Sequence, residues 1–245
     1  MNKCIFCKTE DGLFTTKEHI LPESLGGGDW AILPKELYCN SCQNRFGSEV
    51  EQQALADYPF SFFRTFIGIP TKKRKKPWFN SWEGTIRASF SPGKFEYSPS
   101  SPFKDAYLKG TNSQLRILAH PLKPHMICRF LIKMGIEIVA ADNYKEVFES
   151  KFDDARQFSL TGNKKLKWWY FQQENIEQAL KYFTEGLNSK DWNENLKLEV
   201  IKLDNNQEIF YLNLLYLNMF VPLTPLINPD LLNLKEPEFR LFYIE

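Results

Sequence analysis

CIFCKTEDGLFTTKEHILPESLGGGDWAILPKELYCNSC, residues 4–42, opens and closes on one spacing: a cysteine, two residues, a second cysteine. Cys4, Cys7, Cys39 and Cys42 make up four of the five cysteines in the 245-residue chain. Thiolates two residues apart chelate one ion, and two such pairs complete the tetrahedral shell of zinc. Redox chemistry is the competing reading, but paired CxxC in a reducing cytosol points to metal before disulfide. Four thiolates leave no open coordination position, so the zinc is expected to be structural. The segment between the pairs, residues 8–38, is too long for a minimal finger. Zinc then staples the two ends of an insert and gives it shape without a large core. Cys128 lies in an apolar helical pattern and reads as a small buried side chain.

Within the insert, GLFTTKEHILP (12–22) alternates weakly and predicts a strand. A turn at Gly26-Gly27-Gly28 follows, and then WAILPKELYC (30–39) predicts a second strand. From Cys42 the sequence CQNRFGSEVEQQAL carries Phe46, Val50 and Leu55 near one helical stripe. Strand, long turn, strand and helix, tied by metal, is the expected order.

CxxC, an acid-His-Ile-x-Pro, Gly-Gly, and a second CxxC followed by amides and a helix resemble the zinc-stapled HNH endonucleases, with their ββα-metal active site. The resemblance covers about residues 4–56. It implies that Glu18 is an acidic metal ligand and His19 the general base. The family's third position, a His or Asn metal ligand directly after the last zinc cysteine, falls on Gln43 here, with Asn44 next. Asn44 is the preferred third residue and Gln43 the alternative. The family's middle Asn has no clear counterpart; Pro34 falls near its place. The resemblance further implies DNA as substrate, and settings such as bacterial restriction, phage defence or mobile elements.

Chemistry explains the grouping. Phosphodiester hydrolysis needs a deprotonated water and a cation to neutralise developing charge. Imidazole titrates near neutrality and accepts the proton, which suits His19. Carboxylate and amide oxygens suit Mg²⁺ or Mn²⁺, which fits Glu18 with Asn44 or Gln43. Neighbours on a strand point to opposite faces, so the pair needs an irregular strand end, which Pro22 and the glycines can provide. Glu51, seven residues after Asn44, reads either as a residue near the metal or as an exposed helix acid. His120 and His125 read as structural or exposed.

The composition bounds the rest. A net charge of +1 announces no global nucleic-acid binder, so phosphate contacts must be local. Lys72, Lys73, Arg74, Lys75 and Lys76 form the densest candidate, with a solvated linker as the alternative. Trp78 and Trp82, just after the run, are expected to pack on the domain beside it. With 43% hydrophobic residues the chain can bury an ample core. No membrane span and no export signal are visible, so a cytoplasmic protein is expected.

The fold class expected is α+β, with an HNH nuclease unit at residues 1–58 and a mixed C-terminal domain at 59–245 for substrate or partner recognition. In that second part, KPHMICRFLIKMGIEIVAADNY (123–144) predicts the clearest long helix. LKLEVIKLDNNQEIFYLNLLYLNMFVPL (196–223) predicts two strands joined at DNNQ. Protein partners and oligomeric state stay open. The alternative from another class is a non-catalytic zinc-ribbon protein that binds nucleic acid.

Overall fold

A computed structural model describes residues 2–70, 74–81, 83–89, 95–110, 120–163, 165, 167–203, 206–224, 228–229 and 239–244. The architecture is α+β, as expected. At the N-terminus, β1 (Glu18–His19) pairs antiparallel with β2 (Ile32–Leu33). Each strand is far shorter than the sequence pattern suggests. Pro22 and a turn at 23–25 cut off the first, and turns at 29–31 and 35–37 flank the second. Those turns, rather than the polarity pattern, set the strand ends, so alternation over-reads them.

Helical structure then runs from residue 40 to 56 in three parts. These are α1 (Asn40–Arg45), a π-helical stretch (Phe46–Glu51) and α2 (Gln52–Ala56). Phe46 and Val50 are fully buried. Next come α3 (Phe60–Ile67), a three-stranded antiparallel sheet of β3 (Trp78–Asn80), β4 (Gly84–Ala88) and β5 (Phe95–Pro99), and α4 (Ser101–Leu108).

The predicted long helix is α5 (Pro124–Asp142). It is followed by α6 (Asp153–Thr161), β6 (Trp168–Glu174), α7 (Ile176–Glu185), α8 (Ser189–Asn195), β7 (Leu196–Lys202), β8 (Glu208–Leu214), β9 (Leu217–Pro222) and β10 (Phe239–Ile244). The larger sheet has the order β10-β6-β9-β8-β7, all antiparallel.

The two strands expected in residues 196–223 are three. Leu214 pairs with Leu217, so Leu215-Tyr216 is a two-residue hairpin turn, with Leu215 at φ 58°. Both residues are buried, and their backbone is tied to Asn195 and Asn175. A buried turn carries apolar residues in place of the usual Asn-Gly, so no turn signal marks it.

One hydrophobic core joins the N-terminal unit to the rest, from Cys4 and Phe46 through α5 to β8 and β9. α5 lies against the larger sheet on one side and the π-helical stretch on the other. That explains why it is buried on most of its faces. At Gly135 an added Cβ would come within 2.6 Å of Leu223 and 2.8 Å of Phe210, so this glycine lets helix and sheet approach closely. No helix among the described residues is long and apolar enough to cross a membrane.

Candidate active site

The cysteine cradle comes first, because it holds the short strands in place. The four Sγ atoms of Cys4, Cys7, Cys39 and Cys42 all lie within 4.8 Å of one another, and Cys7 and Cys39 are 3.7 Å apart. A regular tetrahedron with Zn–S bonds of ~2.3 Å has edges of ~3.8 Å, so the donor set fits zinc. Cys39 caps α1, its sulfur accepting the Cys42 N–H at 3.5 Å. Ile5 N–H donates to the Leu37 carbonyl, which ties one knuckle to the other. Phe6 packs between them, 4.6 Å from the Phe46 ring and 5.2 Å from Tyr38. The Cys42 thiol beside Cys4 holds that sulfur down at about 5, while burial pushes Cys7 up to about 11. The cradle therefore already favours a thiolate at Cys4.

From the cradle the chain reaches β1, where Glu18 is buried and His19 half-buried. The glycine turn after it has a physical cause. Gly26 sits at φ +96°, and at Gly27 an added Cβ would come within 1.7 Å of the Leu21 carbonyl oxygen. No side chain fits there, and the Gly27 N–H reaches back to the Pro22 carbonyl. The chain bends at once after His19, so these two neighbours line one cavity of about 270 Å³. Lys17, Glu23, Ser24, Gln43 and Glu51 complete its polar wall.

The helix side of the cavity depends on the π-helical stretch. Gln43, Gly47, Glu51 and Leu55 all line it, at intervals of four residues. In an α-helix four residues make ~400° and drift ~40° per step. Bonding from i to i+5 widens the turn and cancels that drift, and the Gln52 N–H does donate to the Gly47 carbonyl. Glu51 thus stays on the face of Gln43, and the exposed-acid reading of Glu51 gives way.

Gln43, not Asn44, is the amide brought to Glu18. Its Nε2 donates to Glu18 Oε2 at 2.7 Å and to the Lys17 carbonyl at 2.7 Å. Two acceptors fix Nε2 as the near atom and leave Oε1 as the oxygen. Asn44, the preferred residue, is exposed and does not line the cavity, whereas Gln43, the alternative, does. One residue along a helix turns the side chain by ~100°. His19 Nε2 lies 3.8 Å from Glu23 Oε1, and its buried Nδ1 has no hydrogen-bond partner among the described residues.

Sequence reasoning missed the deepest part of the site. Lys133 of α5 is fully buried, and its ammonium lies 2.6 Å from Glu18 Oε1, 2.9 Å from Glu51 Oε1 and 2.8 Å from Glu137 Oε1. Burial alone would lower Lys133; the charges of Glu137, Glu18 and Glu51 outweigh it and hold the ammonium well above its ordinary range. Burial also pushes the Glu137 carboxyl well up, against the pull of Lys133. The signal was there to read: Arg129, Lys133 and Glu137 are charges spaced four apart within an otherwise largely apolar helical run.

Of the basic run, Lys72 and Lys73 lie outside the described residues. Arg74 and Lys75 are exposed, and Lys76 is ion-paired with Glu96 at 2.7 Å. Trp78 is 55% exposed, which corrects the expectation that it packs down. Strand alternation buries Phe79 and turns Trp78 and Asn80 outward. Trp82 is outside the described residues. His120 and His125 are exposed, in line with their reading.

No curated protein and no solved structure matches the chain. Residues 4–59, the segment that contains the cysteine cradle, Glu18, His19 and Gln43, match the family model of the HNH endonucleases.

Proposed function

We propose that the protein is a metal-dependent endonuclease that hydrolyses phosphodiester bonds in DNA. The observation that carries this reading is the convergence of Glu18, His19 and Gln43 on one cavity beside a closed Cys4 cradle. Cys4, Cys7, Cys39 and Cys42 would hold structural zinc. Glu18, with the Gln43 Oε1 and Glu51 as neighbouring oxygens, would hold Mg²⁺ or Mn²⁺, since an all-oxygen donor set suits a hard cation. When bound, that ion neutralises charge on the cleaved phosphate. His19 takes the proton from the attacking water. Residues 1–58 are the nuclease unit in this reading. Residues 59–245 serve recognition, and the setting is cytoplasmic, in defence or restriction.

Incubation of the purified protein with plasmid DNA and Mg²⁺ or Mn²⁺ is the direct test, with His19→Ala purified in parallel. The wild type is expected to nick or linearise the plasmid, and the variant to be slower by ~10²–10⁴-fold. Equal cleavage by both proteins would assign the activity to a contaminant. DNA binding without any cleavage would favour the non-catalytic zinc-ribbon alternative.

DNA contact is assigned to the basic run Lys72, Lys73, Arg74, Lys75 and Lys76. Serine at all five is expected to weaken DNA binding and to flatten its salt slope by ~0.9 for each phosphate that is no longer neutralised. Lys76 should contribute least, because Glu96 already neutralises it. Zinc content is expected to stay unchanged. A variant with wild-type affinity and slope would make the run a linker.

A further inference from the structure

Lys133 lies well outside residues 4–59, yet it touches Glu18 inside them. An ammonium has three N–H donors, and here each faces one carboxylate: Glu18, Glu51 and Glu137. Tyr38 closes the remaining side, with its ring centre 5.8 Å from Nζ. Only Glu137 is a neighbour on the same helix, one turn away. The other two partners come from β1 and from the π-helical stretch, and both line the cavity.

This arrangement controls a torsion that sequence position leaves loose. The terminal torsion of a glutamate is broad, so a carboxylate on a short strand has no preferred plane. Glu18 is gripped on both sides, Oε1 by Lys133 at 2.6 Å and Oε2 by Gln43 at 2.7 Å. The plane is then fixed, and the lone pairs not used by these donors are what the cavity receives. Glu18 and Glu51 would also repel each other across it, and one ammonium bridging them offsets that repulsion.

We infer that Lys133 is a positioning residue of the cation site: α5 reaches into the HNH unit and sets the plane of Glu18 and its spacing from Glu51. The inference rests on the reading of Glu18 as a ligand of Mg²⁺ or Mn²⁺. It makes the segment 4–59 insufficient on its own, because the residue that orients its acid comes from the second half of the chain.

The test uses the full chain carrying Lys133→Met with Glu137→Gln. Removing Lys133 alone would strand a buried Glu137 without its partner, which is strongly destabilising; changing both leaves no newly unpaired charge on α5, while Glu18 keeps its donor from Gln43. Two readouts are taken beside zinc content: Mn²⁺ binding followed by the paramagnetic resonance of free Mn²⁺, and single-turnover cleavage at saturating metal. Loss of the ammonium takes a competing positive charge from Glu18, so Mn²⁺ is expected to bind at least ~3-fold more tightly. Cleavage is expected to fall ~100-fold, the effect of misplacing a reacting group by about an ångström. A merely structural role would move both readouts only through the folded fraction.

Wild-type values in the variant, with zinc retained, would overturn the positioning role alone. Loss of zinc or of the cooperative melt in this double variant would make Lys133 a folding residue and overturn the inference too. Wild-type protein that neither binds Mn²⁺ nor cleaves would instead overturn the cation reading, and the inference with it.

Discussion

Cys4→Ser is expected to remove the zinc and unfold the N-terminal unit, while the five-stranded sheet keeps its structure. The reason lies in how little regular secondary structure the segment between the cysteine pairs has. β1 and β2 are two residues each, well below the length at which strands support themselves. The other links are backbone bonds such as Ile5 N–H to Leu37 between the knuckles and Ile20 N–H to Ala31 beside the short strands. Structural zinc in small domains binds with an apparent ~10–16 kcal/mol, as large as the whole stability of a domain. A serine hydroxyl is a poor substitute for a thiolate, and Cys4 is fully buried. Metal analysis should fall from about one zinc per chain, the value for a closed Cys4 site, toward none. Hydrogen exchange should show Ile5 and Ile20 amides losing protection while those of β8 and β9 keep theirs. Full zinc content in the variant, or unchanged protection of Ile20, would mean that the core and not the metal holds the unit. The shared core gives that outcome a physical route, since Phe46 and Val50 are buried in the same cluster as α5.

What the sequence discloses follows from how local each signal is. The cysteine pairs and the Glu18-His19 pair are covalent neighbours at fixed spacing, so their convergence on one unit is legible before any folding. The helical spacing of Ile127, Phe130, Leu131, Met134 and Ile138 is equally local; the first four are fully buried on α5 and Ile138 is partly buried. Strand lengths at β1 and β2 were over-read because alternation measures exposure, not ladder length. The turn at Leu215-Tyr216 was invisible because burial selected apolar residues where an exposed hairpin would carry Asn or Gly. The choice between Gln43 and Asn44 depends on the phase of α1, and the place of Glu51 on the π-helical stretch at residues 46–51. Lys133 was missed for a different reason. Its role exists only through tertiary contact with residues more than 80 positions away, at Glu18 and Glu51.

Glu18→Gln is expected to abolish cleavage, by ~10³-fold or more, because it removes the acid from a site whose chemistry is charge neutralisation. Glutamine keeps the shape, and its oxygen still accepts from Lys133 while its amide nitrogen meets the Gln43 donor, so one hydrogen bond is lost and the zinc cradle and the fold should stay intact. Alanine at Glu18 should abolish cleavage with zinc retained as well, and it additionally strips Lys133 of its 2.6 Å partner. Next in severity comes Gln43→Ala, expected at ~10–100-fold. That change takes an amide oxygen from the cavity, and it leaves buried Glu18 Oε2 without its 2.7 Å donor. Asn44→Ala should stay within ~3-fold of wild type, since an exposed surface substitution away from the cavity leaves the site as it was. Single-turnover rates at saturating Mn²⁺, beside zinc content, order the three. The ranking Glu18, then Gln43, then Asn44 is a statement about helix phase as much as about chemistry. If Asn44→Ala kills activity and Gln43→Ala spares it, α1 must rotate by ~100° when DNA and metal bind. The hydrogen bond from Gln43 to the Lys17 carbonyl, which pins that helix to β1, would then have to break in the working enzyme.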